Sequence, residues 1–381
     1  MALIDLSENE RRVLLSVMRY PENSDTELAK AMGMNLYTFN KVKNSLLKRR
    51  LLIKSYIPNY NQFGFELMIF TYGSNMDSFL DPFHRRDLIT GFEKSIPARF
   101  IFKMMEMHQG LGIHAVENFT SLKRGLMFKR DLINTLGIEI GSMTHVKFSF
   151  ADTTLKRFFD MFPILNNVYG EEFDLPEIDP ESPAQETAAT PWQDFFSKSG
   201  ISEEEEPGSL NREVMIKAVT DPQGSDQKIS REIGVSRYKI RRAKDDLFSG
   251  RMLKTSYIPN IKGFGYEVIL FTHIKFRRGG PIDDFFSSMK NHDIPEMIHL
   301  VYDGLEGCGM GLFNNLSEAS AAYQNLQTRL EGMRAIERSP YLQLFSVANS
   351  LPDYPFNFSQ PLIHKGSWNV DWDFIKRIRE E

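Results

Sequence analysis

The chain has 381 residues, a formal net charge of −4, 41% hydrophobic and 25% charged residues, the balance of a globular protein and not of a collagenous or wholly disordered one. A single cysteine, Cys308, excludes a disulfide scaffold and any multi-thiolate metal site. No apolar run is long enough to span a bilayer, and the opening MALIDLSENERR turns charged at once, so a cytoplasmic protein with no membrane contact is expected.

Ser7 is placed to cap a helix over Glu8–Arg19, with Leu14, Leu15 and Met18 on one face. Pro21-Glu22-Asn23 breaks it, and a short helix from Asp25 to Met32 ends at Gly33. Asn35 opens a third helix, Leu36 to Arg49. Two short helices joined by a glycine turn form a helix-turn-helix, and LLIKSYIPNYNQFGFE predicts a strand and wing behind it. Then follow a strand at Phe65–Tyr72, a helix at Asp81–Glu93, strands at Arg99–Met107 and Gly112–Val116 around a Gly110-Leu111-Gly112 turn, a helix at Ser121–Leu136 and a strand at His145–Ala151. The order β-α-β-β-α-β is that of a ferredoxin-like α+β sandwich.

Residues 24–71 overlie residues 225–272 at a constant offset of 201, with eighteen of 48 positions identical, so the chain is a tandem duplication. In the second copy Gly234 and Ser236 take the places of Gly33 and Asn35. Strands are expected at Glu267–Lys275, Met297–Tyr302, Gly309–Phe313 and Tyr341–Val347, helices at Ile282–Lys290 and Leu316–Met333, and a turn at Gly307-Cys308-Gly309. Between the copies, residues 171–207 hold twelve acids and one base and read as an acidic linker, in which Trp192, Phe195 and Phe196 are placed to dock. The remainder of the chain is therefore +7. The predicted domains are 1–62 (winged helix-turn-helix), 63–155 (ferredoxin-like), 156–207 (connecting segment and linker), 208–263 (winged helix-turn-helix), 264–350 (ferredoxin-like) and 351–381 (aromatic tail).

The opening Leu6-Ser7-Glu8-Asn9-Glu10-Arg11-Arg12-Val13-Leu14, the Glu27-Leu28-Ala29-Lys30 helix and the stretch Tyr56-Ile57-Pro58 with Phe63-Gly64 resemble the Lrp/AsnC ("feast/famine") transcriptional regulators. The likeness covers about 1–151 and 208–350. It implies a winged helix-turn-helix joined to a ferredoxin-like assembly or effector domain, here twice in one chain. It also implies self-association through those domains, within the chain or as a homodimer, and a small-molecule effector. The family's Gly-x-x-Asp loop pattern is absent: the loops are Gly110-Leu111-Gly112-Ile113 and Gly307-Cys308-Gly309-Met310.

Binding of double-stranded DNA requires cations for phosphates and side chains that reach base edges. In the second recognition helix Arg237, Tyr238, Lys239, Arg241, Arg242 and Lys244 supply both, with Ile240, Ala243 and Leu247 facing inward. The first copy is less basic and offers Tyr37, Thr38, Asn40, Lys41, Lys43 and Asn44, followed by Lys48, Arg49, Arg50 and Lys54. His108 and His114, with Gly110, Gly112, Gly307 and Gly309, are the candidate effector residues. No metal-ligand spacing, cofactor fingerprint or catalytic constellation is legible, so the expected function is a sequence-specific transcriptional regulator without enzymatic activity. The alternatives are an enzyme resembling siroheme decarboxylases, whose His and Arg cluster around a Trp-Pro-Tyr stretch this chain lacks, and a structural assembly protein.

Overall fold

Side-chain caps fix where the first helices begin. Ser7 and Ser24 each form a capping box with the glutamate three residues on, starting α1 (Glu8–Arg19) and α2 (Asp25–Ala31), and Asn35 accepts from the Tyr37 amide to open α3 (Leu36–Lys48). Each such oxygen satisfies an amide with no partner inside the helix, a gain of about 1 kcal/mol. The protein is described by a computed structural model over residues 4–74, 100–106, 109–136, 143–170, 192–196, 208–280, 282, 297–348 and 355–366. The helices predicted at 81–93 and 282–290 lie outside these residues, except Ile282.

In chain order there follow β1 (Leu52–Pro58), β2 (Leu67–Ser74), β3 (Phe100–Glu106), β4 (Gln109–Val116), α4 (Phe119–Leu136) and β5 (Met143–Ser149). After the first copy come β6 (Thr154–Arg157), α5 (Phe162–Tyr169) and α6 (Trp192–Phe196). The second copy is α7 (Ser209–Thr220), α8 (Asp226–Ile233), α9 (Arg237–Ser249), β7 (Leu253–Pro259), β8 (Val268–Lys275), β9 (Met297–Tyr302), β10 (Glu306–Phe313), α10 (Leu316–Gly332) and β11 (Tyr341–Ser346). One turn, α11 (Gln360–Ile363), follows in the tail. Gly33 and Gly234 end α2 and α8 at φ 61° and 79°, the left-handed conformation that glycine adopts without strain.

The fold is α+β with antiparallel sheets. The first sheet runs β3-β4-β2-β5, the ferredoxin-like order, and the second repeats it as β9-β10-β8-β11. On one face Leu67, Ile69 and Val116 pack on Leu122 of α4, and Leu270 and Phe313 pack on Ala319 of α10.

Two expectations are corrected. The strand behind each of α3 and its counterpart in the second copy does not fold back into a wing of its own repeat: β1 pairs with β7 in a two-stranded sheet. Both strands are buried over most of their length, because Leu-rich and Ser-Tyr-Ile-Pro sequence offers apolar side chains to both faces. The glycines read as turns lie inside strands: Gly112 pairs with Thr71 and Lys103, and Gly309 with Thr272 and Leu300. The turn of the second copy is instead Asp303-Gly304-Leu305, where the Asp303 carboxylate accepts from the Leu305 and Glu306 amides. The linker aromatics dock as the sequence suggested: Trp192 packs on Phe158, and Phe196 stacks on Tyr60 and Phe150.

The chain divides into two compact units that are not the two repeats. One unit comprises residues 1–57, 153–195 and 248–348, the other residues 58–152, 196–247 and 349–381. In the first unit β6, which follows the first copy, lies along β9 of the second copy's sheet, and Phe158 and Phe159 contact the His299 ring at centroid distances of 5.5 and 4.7 Å. In the second unit the tail does the same for the first copy's sheet. Phe356 bridges Phe102 of β3, with Lys103 N–H donating to the Pro355 carbonyl and Asn357 N–H to the Ile101 carbonyl.

Candidate nucleic-acid interface

Helix α3 turns a buried stripe, Phe39 and Leu46, inward and leaves Tyr37, Lys41 and Asn44 exposed, with Thr38 and Asn40 half-buried. Helix α9 buries Ile240, Ala243 and Leu247 and exposes Arg237, Tyr238, Lys239, Arg241 and Arg242. The period of the apolar residues dictates this division: three residues spaced 3 and 4 apart occupy one side of a helix. Tyr37 and Tyr238 stand at the same place in the two helices and are 76% and 75% exposed.

Two of the predicted cations are already engaged. Lys244 Nζ lies 2.8 Å from Asp226 Oδ1 and Lys43 Nζ lies 2.5 Å from Asp25 Oδ1, each pair half-buried between the short helix and the recognition helix. Lys43 also lies over the Tyr257 ring, 5.6 Å from its centroid. Lys244 and Lys43 are therefore clamps within their modules, not outward-facing phosphate contacts. Sequence reasoning missed the two aspartates. The signal was available, because each stands 18 residues before its lysine in both copies. Lys54 sits half-buried over the Tyr56 ring at 4.8 Å, and Arg49 pairs with Glu10.

A further pair was legible only in the backbone. Arg50 and Arg251 follow α3 and α9 at φ 55° and 53°, a left-handed conformation that costs a non-glycine residue about 1 kcal/mol. Both side chains are exposed. Tyr37/Tyr238, Asp25/Asp226, Lys43/Lys244 and Arg50/Arg251 all belong to the eighteen identical positions between the copies.

The predicted effector residues do not form a loop site. His108 lies outside the described residues, and Gly110, Gly112, Gly307 and Gly309 are paired on both sides within β4 and β10. Their role is steric. A Cβ on Gly112 would lie 2.4 Å from the Phe100 ring, and one on Gly309 would lie 2.3 Å from the Met297 methyl.

No protein-family model and no curated protein matches the sequence. Among solved structures, the siroheme decarboxylase NirDL in complex with an iron-uroporphyrin III analogue matches with a TM-score of 0.50 and 10% identity over 98% of this chain and 100% of that chain. A second structure of NirDL gives a TM-score of 0.49 and 9% identity, covering 98% of each chain. AsnC of E. coli matches 37% of this chain and 93% of its own, with 14% identity and a TM-score of 0.30. Among the described residues no helix is long and apolar enough to cross a membrane. The match over 98% of the chain corrects the expectation of a protein without enzymatic activity, since the fold it shares is one on which an enzyme is built.

Proposed function

We propose that the protein binds duplex DNA through the exposed faces of α3 and α9. The observation that carries this reading is the pairing of Tyr37 with Tyr238. The duplication has kept the same solvent-facing aromatic residue at the second position of both helices, beside exposed Arg237 and Arg241 in one and Lys41 and Asn44 in the other. The first turn of a recognition helix is the part that meets base edges, while arginine and lysine neutralise phosphates. The two faces are unequal, and a site with two different halves follows from that. The experiment is a titration of random-sequence duplex against the full chain at two salt concentrations. Affinity falling steeply with salt supports the reading, at about 0.9 in log–log slope for each phosphate contacted. Absence of binding at low salt overturns it.

A second reading has one specific observation behind it: the likeness of fold to the siroheme decarboxylase NirDL runs over the whole chain. Under that reading the protein is an enzyme acting on a tetrapyrrole. Titration with iron-uroporphyrin III, followed by the porphyrin absorption band, separates the two. A saturable band shift supports the enzyme, and an unchanged band removes it.

A further inference from the structure

The two ferredoxin-like sheets share a backbone register but not the chemistry of one face. On the side that packs against α4, the first sheet places Lys103, Gly112, Thr71 and His145 in one row across four strands. One step along, Phe100, His114, Ile69 and Lys147 form the next row. The second sheet has the same rows in the same register. There Leu300, Gly309, Thr272 and Leu342 replace the first, and Met297, Gly311, Leu270 and Leu344 replace the second. Every basic residue of the first face thus has an apolar residue or glycine opposite it in the second: Lys103 against Leu300, His114 against Gly311, His145 against Leu342 and Lys147 against Leu344. The threonine, Thr71 and Thr272, and the glycine beside it, Gly112 and Gly309, are common to both.

These groups are organised. Thr71 Oγ1 lies 2.9 Å from His145 Nδ1, which holds the imidazole beside the threonine. Gly112 admits the Phe100 ring, whose centroid is 4.1 Å from that of His114, so an aromatic floor fills the middle. Lys103 is half-buried, and burial pulls its ammonium down to about 8. Strands lie about 4.8 Å apart, so Lys103 and His145 rise from positions about 14 Å apart. Packing alone is served by leucines, as the second sheet demonstrates with the same backbone.

We infer that this face of the first ferredoxin-like domain is a binding site for a small polycarboxylate, with Lys103 and His145 holding its carboxylates and the Phe100–His114 pair lying beneath its carbon frame, and that the second domain has lost the site. The inference does not rest on the DNA-binding reading.

The test uses the full chain and citrate as the probe, monitored by the histidine ring proton signals. The His114 and His145 signals shift saturably, while that of His299, in the second sheet, stays in place. The double variant Lys103→Leu with His145→Leu, which carries the residues the second sheet already accommodates, binds citrate at least about tenfold more weakly. Lys103→Gln, which keeps length and polarity, weakens binding in the same direction and serves if the double variant fails to fold. No saturable shift below about 10 mM citrate overturns the proposal. Undiminished binding by Lys103→Gln overturns it equally.

Discussion

Lys244 Nζ and Asp226 Oδ1 lie 2.8 Å apart, and the duplication repeats the contact between Lys43 and Asp25. The pairs tie α2 to α3 and α8 to α9. Asp226→Asn leaves a half-buried ammonium without its counter-charge and should lower stability by about 1 kcal/mol. It also releases one cation toward a polyanion, so duplex affinity at low salt should rise. Urea unfolding and a salt-dependent binding titration measure the two effects, which carry opposite signs. A fall in both would place the pair outside the recognition surface.

The engaged lysines change which substitutions matter for binding. Arg237→Ala with Arg241→Ala should weaken duplex binding by about tenfold or more, since each exposed arginine on α9 is free to neutralise a phosphate. Lys41→Ala on α3 should cost several-fold less. Tyr37→Ala and Tyr238→Ala should each leave the salt dependence unchanged while lowering discrimination between sequences, because a neutral ring releases no counterion. Equal losses from the two helices would refute their ranking.

Arg50 and Arg251 stand where the backbone favours glycine. Arg50→Gly and Arg251→Gly should relieve strain and shift stability upward by up to about 1 kcal/mol, less the entropy that glycine restores to the unfolded chain. Both should bind duplex more weakly and with a shallower salt slope. A variant that is more stable and binds undiminished would show that the arginines serve no partner.

His299 is fully buried against Phe158 and Phe159, and burial pushes its imidazole down to about 3. The neutral ring is the folded form, whereas the unfolded chain takes up a proton near the usual value of about 6.5. Stability is therefore complete above about pH 6.5 and is lost as pH falls from there toward 3. The first sheet has Phe102 in the place of His299. His299→Phe should remove most of this acid sensitivity, measured as the pH dependence of the thermal midpoint between 4 and 7. A variant as acid-labile as the parent would assign the loss to other groups.

The local parts of the architecture were legible in the sequence because their signals are local. Ser7, Ser24 and Asn35 with their partner amides mark the helix starts, Gly33 and Gly234 mark helix ends, and alternating apolar residues mark most strands. Pairing choices were not legible. The Ser-Tyr-Ile-Pro strand gives no sign that its partner is the equivalent strand 201 residues away, and β6 carries nothing that names β9 as its neighbour. The glycines of β4 and β10 look like turn residues because what requires them, the Phe100 ring and the Met297 methyl, arrives from another strand. Of the candidate interface, the exposed side of α9 follows from helical period alone, whereas the capture of Lys43 and Lys244 depends on a helix packed beside them.

The segments that trail each copy cover the free edge of the other copy's sheet: residues 154–157 run along β9, and Pro355–Asn357 along β3. A sheet edge left bare offers its amides and carbonyls to any passing strand. Severing the polypeptide inside the acidic connector would thus give two halves that each carry the wrong cover, so their solubility would depend on re-meeting. Gene fusion here does more than tether two modules: it guarantees, at any dilution, that each border finds its own seal.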